Sequence, residues 1–430
     1  MVSAAVPVAV TDNAVRNAAV LNAILPVRSL LLAIFMLMAG GGFMNTFISV
    51  RLERAGSSTL AIGLVGTAYF AGLVAGSLHA PALLRRIGHI RAFAAFVAVL
   101  SASTLSYAIH RGPLFWGSLR VVDGICLAGI YVCLESWLGE RAEGGGRGSV
   151  LAGYMIALYS GQALGQFTLN LGGSGSTMPL LIGSVLISLA AVPVVLTRIS
   201  APPPGEASSF SFRSLYSVSP LGIVGAFLTG VMLGAFYAMG AVYARRSGLS
   251  VSTTALFMSV VIMGGVALQW PLGRLSDRID RRKVIVIGLA GTLAASLAIA
   301  MTAGTAALMF FGALFGGLSF ALYPLCVAHT NDHLSGQQRV AASGGLVLLY
   351  SLGAAIGPFL GALAMTIVGT AGLFFFIAAC AGAALAFGLW RQVRSQPVPA
   401  HLQETYVVLP RTTAMSAALD PVAADESDAP

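Results

Sequence analysis

Three ionisable side chains stand in one long apolar stretch of this chain: Arg120, Asp123 and Glu135, all within residues 113–138. A charge in a membrane-length apolar run is expensive, so it is usually paired or functional. Arg120 and Asp123 are one helical turn apart and share nearly the same face. Two readings stand side by side. A fixed ion pair would tie this helix to its neighbours. A switchable pair would take a proton on Asp123 and free Arg120 for an anionic or polar group of a substrate. Glu135 comes about 22 residues into the run, with Arg141 and Arg147 following, and reads as a gate or surface salt-bridge group. Asn45, Tyr69, Gln162, Gln166, Tyr237 and Tyr350 fall at similar depth in other apolar runs. Each could line a common cavity or bond one helix to the next. Gln162 and Gln166, four apart, share a face.

Groups so placed need a scaffold that holds them inside a membrane. The chain is 57% hydrophobic and 9% charged, with mean hydropathy +0.87. A soluble domain carries about 25% charged residues, so this chain cannot cover itself with polar groups. A spanning helix takes roughly 20 apolar residues. Twelve such runs are found, at about 29–50, 61–84, 90–110, 113–138, 148–171, 177–197, 219–243, 252–273, 284–302, 305–328, 340–366 and 370–390 (spans 1 to 12). The 51 glycines suit helices that approach closely. The expected fold is an all-α polytopic membrane protein. Pro202-Pro203-Pro204, Gly205 and nearby serines mark 198–218 as a cytoplasmic linker between two six-helix halves, 29–197 and 219–391. Residues 1–28 read as a tail and not a signal peptide, because Arg16 and Arg28 follow a weakly apolar stretch. Residues 392–430 are Pro-, Ala- and Asp-rich and are expected to form a disordered tail.

Twelve spans put both termini on one side. That side carries 18 of the 24 Lys and Arg residues and the other carries 5, with Arg120 inside a span. The positive-inside rule then places both termini in the cytoplasm, with the chain in a bacterial inner membrane. The net charge of +9 sits at span ends, where it sets orientation; it does not point to nucleic acid. Cys126, Cys133, Cys326 and Cys380 are scattered through apolar runs and suggest neither a metal site nor a disulfide framework.

The two halves are copies. Shifted by 192 residues, Arg86-Ile87-Gly88 falls on Arg278-Ile279-Asp280, Arg91 on Lys283 and Gly72 on Gly264. Arg147 with Gly165-Gln166-Phe167 falls on Arg339 with Gly357-Pro358-Phe359. Solenoid repeats run about 20–50 residues, so this unit is half of a bundle. Paired halves enclosing a midplane site are a common plan of secondary transporters.

Between spans 8 and 9 the chain reads Gly273-Arg274-Leu275-Ser276-Asp277-Arg278-Ile279-Asp280-Arg281-Arg282-Lys283. This resembles the cytoplasmic signature loop of the major facilitator superfamily, G-x-L-x-D-R-x-G-R-R/K, with Asp280 in the glycine place. The first-half copy keeps Arg86, Gly88 and Arg91 but has Arg85 where the aspartate belongs. Leu119-Arg120-Val121-Val122-Asp123-Gly124 is close to the family's L-R-x-x-Q-G element. His89-Ile90-Arg91-Ala92-Phe93, Glu135-Ser136-Trp137-Leu138 and Arg147-Gly148 are similar to its YcaD-like branch. Span 11 carries Gly353 to Gly361 in the form G-x-x-x-G-P-x-x-G, which looks like an antiporter element, although that element belongs in span 5.

The resemblance implies twelve helices in two pseudo-symmetric halves and gives Arg120 a functional place. It also implies that Asp277 locks onto the start of a helix in the other half when the cytoplasmic side shuts. Carried over, Asp277 should face Arg147, Gly148 and Ser149, with Arg278, Arg281 and Arg282 around it. Arg85 would instead meet Arg339 and repel it, so the gate is expected to be asymmetric. The plainer alternative is that the loop's charges only set topology.

The expected function is a proton-coupled secondary transporter of a small molecule, working as a monomer by alternating access, with no cofactor and only lipid as a further partner. A mostly apolar cavity with a few amides and tyrosines suits a small amphipathic or weakly polar substrate, and Arg120 permits an anion. A transport-inactive sensor or assembly partner on the same fold is the alternative. An integral-membrane enzyme is remote: His329, Asp332 and His333 are the one cluster, and they lack the H-E-x-x-H zinc pattern.

Overall fold

The computed structural model describes residues 20, 22–141, 147–173, 175–197, 212–302, 304–334, 337–394, 396, 398–399 and 402–419. Most of the expected amino-terminal tail, linker residues 198–211 and residues 420–430 lie outside the described residues. Each apolar run forms a helix. The spans are Asn22–Arg54, Thr59–Ile87, His89–Ser106, Pro113–Arg141, Arg147–Gly165, Met178–Val195, Pro220–Arg246, Val251–Arg278, Arg281–Met301, Ala307–Asn331, Gln337–Val368 and Gly372–Arg394. Eleven are apolar enough to cross a membrane; span 5, with Tyr154, Tyr159, Ser160 and Gln162, is the more polar exception. Several helices run past the apolar stretch into terminal arginines, because backbone hydrogen bonding continues where hydropathy ends.

The repeat is visible in the caps. Ser58 Oγ accepts from Ala61 N at 3.2 Å to start span 2. Ser250, 192 residues on, accepts from Thr253 N at 3.1 Å to start span 8. Such a cap is worth about 1 kcal/mol. One signature position where the halves differ, Gly88 against Asp280, also has a local cause. Gly88 joins spans 2 and 3 with φ +84°, which favours glycine. Asp280 stands at φ −49° and its carboxylate caps span 9 by accepting from Arg282 N at 3.0 Å.

Packing repeats as well. Spans 1 and 5, 2 and 4, and 3 and 6 lie together in the first half; 7 and 11, 8 and 10, and 9 and 12 do so in the second. Glycines set these approaches. A Cβ on Gly72 would lie 2.3 Å from the Val121 carbonyl oxygen, and one on Gly264 would lie 2.2 Å from that of Ala313. Gly161 faces the Phe35 carbonyl at 2.5 Å, as Gly353 faces that of Phe227 at 2.2 Å. Both members of each pair are offset by the same 192 residues. The G-x-x-x-G part of span 11 therefore serves close packing on span 7.

The ends of the bundle differ. Opposite the linker, the halves touch directly. Ser49 Oγ donates to the Ala238 carbonyl at 2.7 Å, and Ser259 Oγ to that of Ala163 at 2.8 Å. Gly63 and Gly66 of span 2 lie against Ala362 and Pro358 of span 11. At the linker end, residues 402–419 lie between the halves. This corrects the expectation of a disordered tail. Val407, Val408 and Leu409 supply apolar anchoring, and Leu409 and Leu419 are buried in the core. Residues 414–419 form a 3-10 turn packed on both span 4 and span 11.

Candidate functional site

Span 1 is broken at Gly42–Phe43 between helices Arg28–Gly41 and Met44–Arg54. The break frees backbone groups that lipid could not satisfy. Gln166 Nε2 donates to the Gly42 carbonyl at 2.9 Å. Gln166 therefore ties spans 1 and 5 together, while Gln162, one turn earlier, faces the cavity. The sequence grouped the two amides; the break in span 1 separates their roles.

The break also brings Asn45 to Arg120. Arg120 Nη2 donates to Asn45 Oδ1, and its guanidinium lies 3.8 Å from the Tyr69 ring centroid. Its link to Asp123 is longer, 3.4 Å. Asp123 is held more closely by hydroxyls: Ser103 Oγ and Tyr107 Oη each donate to it at 2.6 Å. Ser103 and Tyr107 were not singled out from the sequence; their i,i+4 spacing on span 3 was the available signal. Both Arg120 and Asp123 are buried. Four spans thus meet at one ion pair.

Two cavities adjoin, one within the first half and one between the halves. One, of about 60 Å³, is lined by Arg120, Asp123, Asn45, Tyr69 and Gln162. The other, of about 110 Å³, shares Asn45, Tyr69, Tyr131 and Gln162 and adds Tyr159, Tyr237 and Tyr350. The structure therefore gathers seven of the eight candidate substrate residues and leaves out Gln166. Pro410, Arg411 and Thr412 of the carboxy-terminal segment line the larger cavity too.

Glu135 corrects one alternative of its expectation, the surface salt bridge. It is fully buried and has no ion pair with Arg147; the Arg141 side chain lies outside the described residues. Its carboxylate accepts from Tyr154 Oη at 3.1 Å and from the hydroxyls of Thr412 and Thr413. The reason is orientation: this part of span 4 faces the space the carboxy-terminal segment fills.

Asp277 also differs. Among the described residues no bond joins it to Arg147, Gly148 or Ser149. Its Oδ1 accepts from Arg281 Nη2 at 3.2 Å and from the Tyr406 backbone N–H at 2.8 Å. The halves are apart at this end, so span 5 is out of reach. Gly273 makes room for the Tyr406 ring; a Cβ there would lie 2.1 Å from it. Arg281, fully buried, donates to Asp332 at 2.6 Å and to the Glu404 carbonyl at 2.6 Å. Asp332, read from sequence with His329 and His333, is thereby committed to Arg281. Burial pushes the Asp332 carboxyl up, despite that guanidinium. Burial acts the same way on Asp280, but the bonds from Arg282 outweigh it and hold that carboxyl below its usual range. Arg339 pairs with Glu404 at 2.7 Å. In the first-half loop Arg85, Arg86 and Arg91 are exposed. Arg278 is exposed as well, and Arg147 is half-buried.

The comparisons agree with this architecture. The family model for the Major Facilitator Superfamily matches residues 224–420. The chain is 29% identical over 357 residues to the MFS-type transporter YcaD of Salmonella enteritidis PT4, covering 82% of this chain and 92% of the relative. It is 29% identical over 382 residues to that of Salmonella typhi, covering 88% and 98%. Among solved structures, a point mutant of the nucleoside transporter NupG superposes with a TM-score of 0.71 at 14% identity, covering 86% of this chain and all (100%) of the other. A bacterial homologue of the human lysosomal transporter Spinster, inward-facing and occupied, superposes at 0.70 with 16% identity, covering 87% and 98%. With its twofold glycine packing, its central cavity and these matches, the chain resembles the multi-pass membrane transporters of the major facilitator superfamily rather than an enzyme.

Proposed function

We propose that the chain moves a small molecule by rocking its two halves about the central cavity, with a proton on Asp123 coupled to the step. The observation that carries this reading is the loose Arg120–Asp123 pair beside the cavity. A charge-assisted N–H···O bond runs about 2.7–2.9 Å, and this one is 3.4 Å. Asp123 has two short hydroxyl donors that hold its negative form, while Arg120 leans on Asn45 and Tyr69. A substrate group reaching Arg120 would withdraw the guanidinium and favour a proton on Asp123. That links binding to protonation without a large rearrangement. The positive-inside count puts the linker and both termini in the cytoplasm. The direct contacts then close the outer end, which makes this the inward-facing state. The Spinster homologue whose fold it shares is described as inward-facing too.

The test is the pH dependence of alternating access in reconstituted vesicles, read by thiol labelling of a cysteine at the outer end. The native protein is expected to change its labelling between mildly acidic and mildly alkaline buffer, and Asp123→Asn to lose that change. Equal pH response in both would make the pair a structural tie. The segment lying in the cavity favours a second reading, a transport-inactive sensor. Net movement of protons with any solute would remove it.

A further inference from the structure

One cation in this cavity has no carboxylate partner. Among the described residues Arg411 makes no ion pair, although it lies well inside the bundle. Its guanidinium carbon is 4.1 Å from the Phe320 ring centroid, 5.7 Å from that of Tyr350 and 5.9 Å from that of Tyr159. Its Nη2 points to Tyr237 Oη at 3.5 Å. All three centroid distances fall within about 6 Å, the reach over which a ring face attracts a cation. A guanidinium taken out of water without an anion is costly unless its surroundings replace the solvent. Here aromatic faces from spans 5, 7, 10 and 11 do so. The next two residues, Thr412 and Thr413, engage Glu135 of span 4. Arg120, which lines the adjoining cavity, already has Asp123 beside it.

This box is assembled from both halves. Tyr159 comes from the first; Tyr237, Phe320 and Tyr350 come from the second. A site of that kind exists only while the halves stand as they do here. The occupant is tethered. Glu404, held by Arg339 and bonded through its backbone to Arg281 and Asp332, and Tyr406, seated on Gly273, fix the segment seven and five residues before Arg411. A short tether keeps its end at millimolar effective concentration.

We infer that residues Tyr159, Tyr237, Phe320 and Tyr350 form a subsite for a monovalent organic cation, a guanidinium or alkylammonium, and that Arg411 occupies it as a tethered substitute for that ligand. The inference rests on the transport reading of the cavity and names its substrate class. A free cation must displace Arg411 to enter. Its apparent affinity is reduced by the fraction of molecules in which the box is already filled. Cation entry and release of the carboxy-terminal segment are therefore competing events.

The experiment is titration calorimetry of the full chain in detergent with N-butylguanidinium, and with N-butylurea as a neutral probe of the same shape. Arg411→Gln is expected to bind N-butylguanidinium about tenfold more tightly than the native chain, if the box is filled about nine-tenths of the time. N-butylurea should gain nothing. Adding Tyr350→Leu to Arg411→Gln should remove the gain. Equal affinity in the native chain and Arg411→Gln, no binding by either, or an equal gain for N-butylurea would each overturn the inference. Arg411 belongs to the carboxy-terminal segment and to no span, so its variant tests the box without altering the bundle. A second readout separates this inference from the transport reading. Ser351→Cys, lining the same cavity, is labelled from either side of sealed vesicles in the Arg411→Gln chain. Labelling from both sides without cation binding ends the cation subsite and leaves alternating access intact. Cation binding with labelling from one side only does the reverse.

Discussion

At the end opposite the linker, the outer end in the proposed orientation, Ser49 reaches the Ala238 carbonyl at 2.7 Å and a Cβ on Gly63 would lie 2.4 Å from that of Ala362. At the linker end, the contacts that bridge the halves run through residues 402–419, held by Glu404, Tyr406, Thr412 and Thr413. The first junction is made of small residues whose backbones nearly touch. The second is made of polar side chains around an inserted segment. A junction of small residues has no adjustable parts: it is shut at van der Waals distance or it is open. A junction through a third segment can be made and unmade one bond at a time. The difference gives one end an all-or-none contact and the other a contact that can be undone in steps.

The sharpest way to break that comparison is to enlarge the small-residue junction. Gly63→Val places a branched side chain where Ala362 Cβ and the Pro358 carbonyl already crowd the space, at 2.4 and 2.8 Å from a bare Cβ. Overpacking costs about 1–3 kcal/mol, and each 1.4 kcal/mol is about a tenfold change in a two-state population. The expected outcome is a longer distance between spin labels on turns 55–58 and 247–250, with the outer end open in much of the sample. An unchanged distance would mean that this junction is not what closes the outer end.

A middle-sized effect is expected at the linker end. Glu404→Ala removes the carboxylate that Arg339 holds at 2.7 Å, and Arg339 is buried. Loss of a partner to a charged buried group costs about 1.5–3 kcal/mol, less where water can enter. The Glu404 side chain is one-third exposed (33%), so about 1 kcal/mol is expected. Arg411 is the last basic residue of the chain, so tryptic cleavage after it reports release of the segment. The variant should be cut several-fold faster than the native chain. An equal rate would leave Tyr406 and the two threonines as the anchors and Glu404 as a bystander.

The sequence made the scaffold readable because membranes enforce length and hydropathy on every span, and because a duplicated bundle must duplicate its close contacts. Gly72 and Gly264 could be paired by number alone, and each lies against the matching carbonyl of its own half. Span 1 was less legible. Its break at Gly42–Phe43 follows the run Gly40-Gly41-Gly42, but nothing local says that Gln166 will satisfy the freed carbonyl. Partners such as Ser103 and Tyr107 for Asp123 depend on which faces of spans 3 and 4 meet, which hydropathy does not encode. The carboxy-terminal segment was misread for a related reason. Its Pro, Ala and Asp content is that of a solvated chain, yet Tyr406-Val407-Val408-Leu409 is a short apolar run. Such a run can dock only if the bundle offers an opening, and the opening exists because the halves are apart there. Asp277 was assigned its partner in span 5 from the shut form; in this form the Tyr406 backbone takes that place.

The smallest effect concerns the Arg246–Glu53 ion pair across the outer junction. Arg246 Nε meets Glu53 Oε1 at 2.7 Å, and Arg246 Nη1 also donates to Thr59 Oγ1 at 3.1 Å. The two charged side chains are 29% and 19% exposed, so water and salt screen them. Exposed pairs of this kind are worth about 0.2–1 kcal/mol. Glu53→Gln keeps the shape and a hydrogen-bond acceptor while removing the charge. The expected result is a shift in the outer-end distance distribution far smaller than that of Gly63→Val, seen at low ionic strength and lost in high salt. If Glu53→Gln opened the outer end as widely as Gly63→Val, and did so in high salt, the closure would be electrostatic and the contrast between a packed end and a polar end would fail. If the two effects rank as stated, the arginine only trims the approach of spans 1 and 7, and the glycines on span 2 decide it.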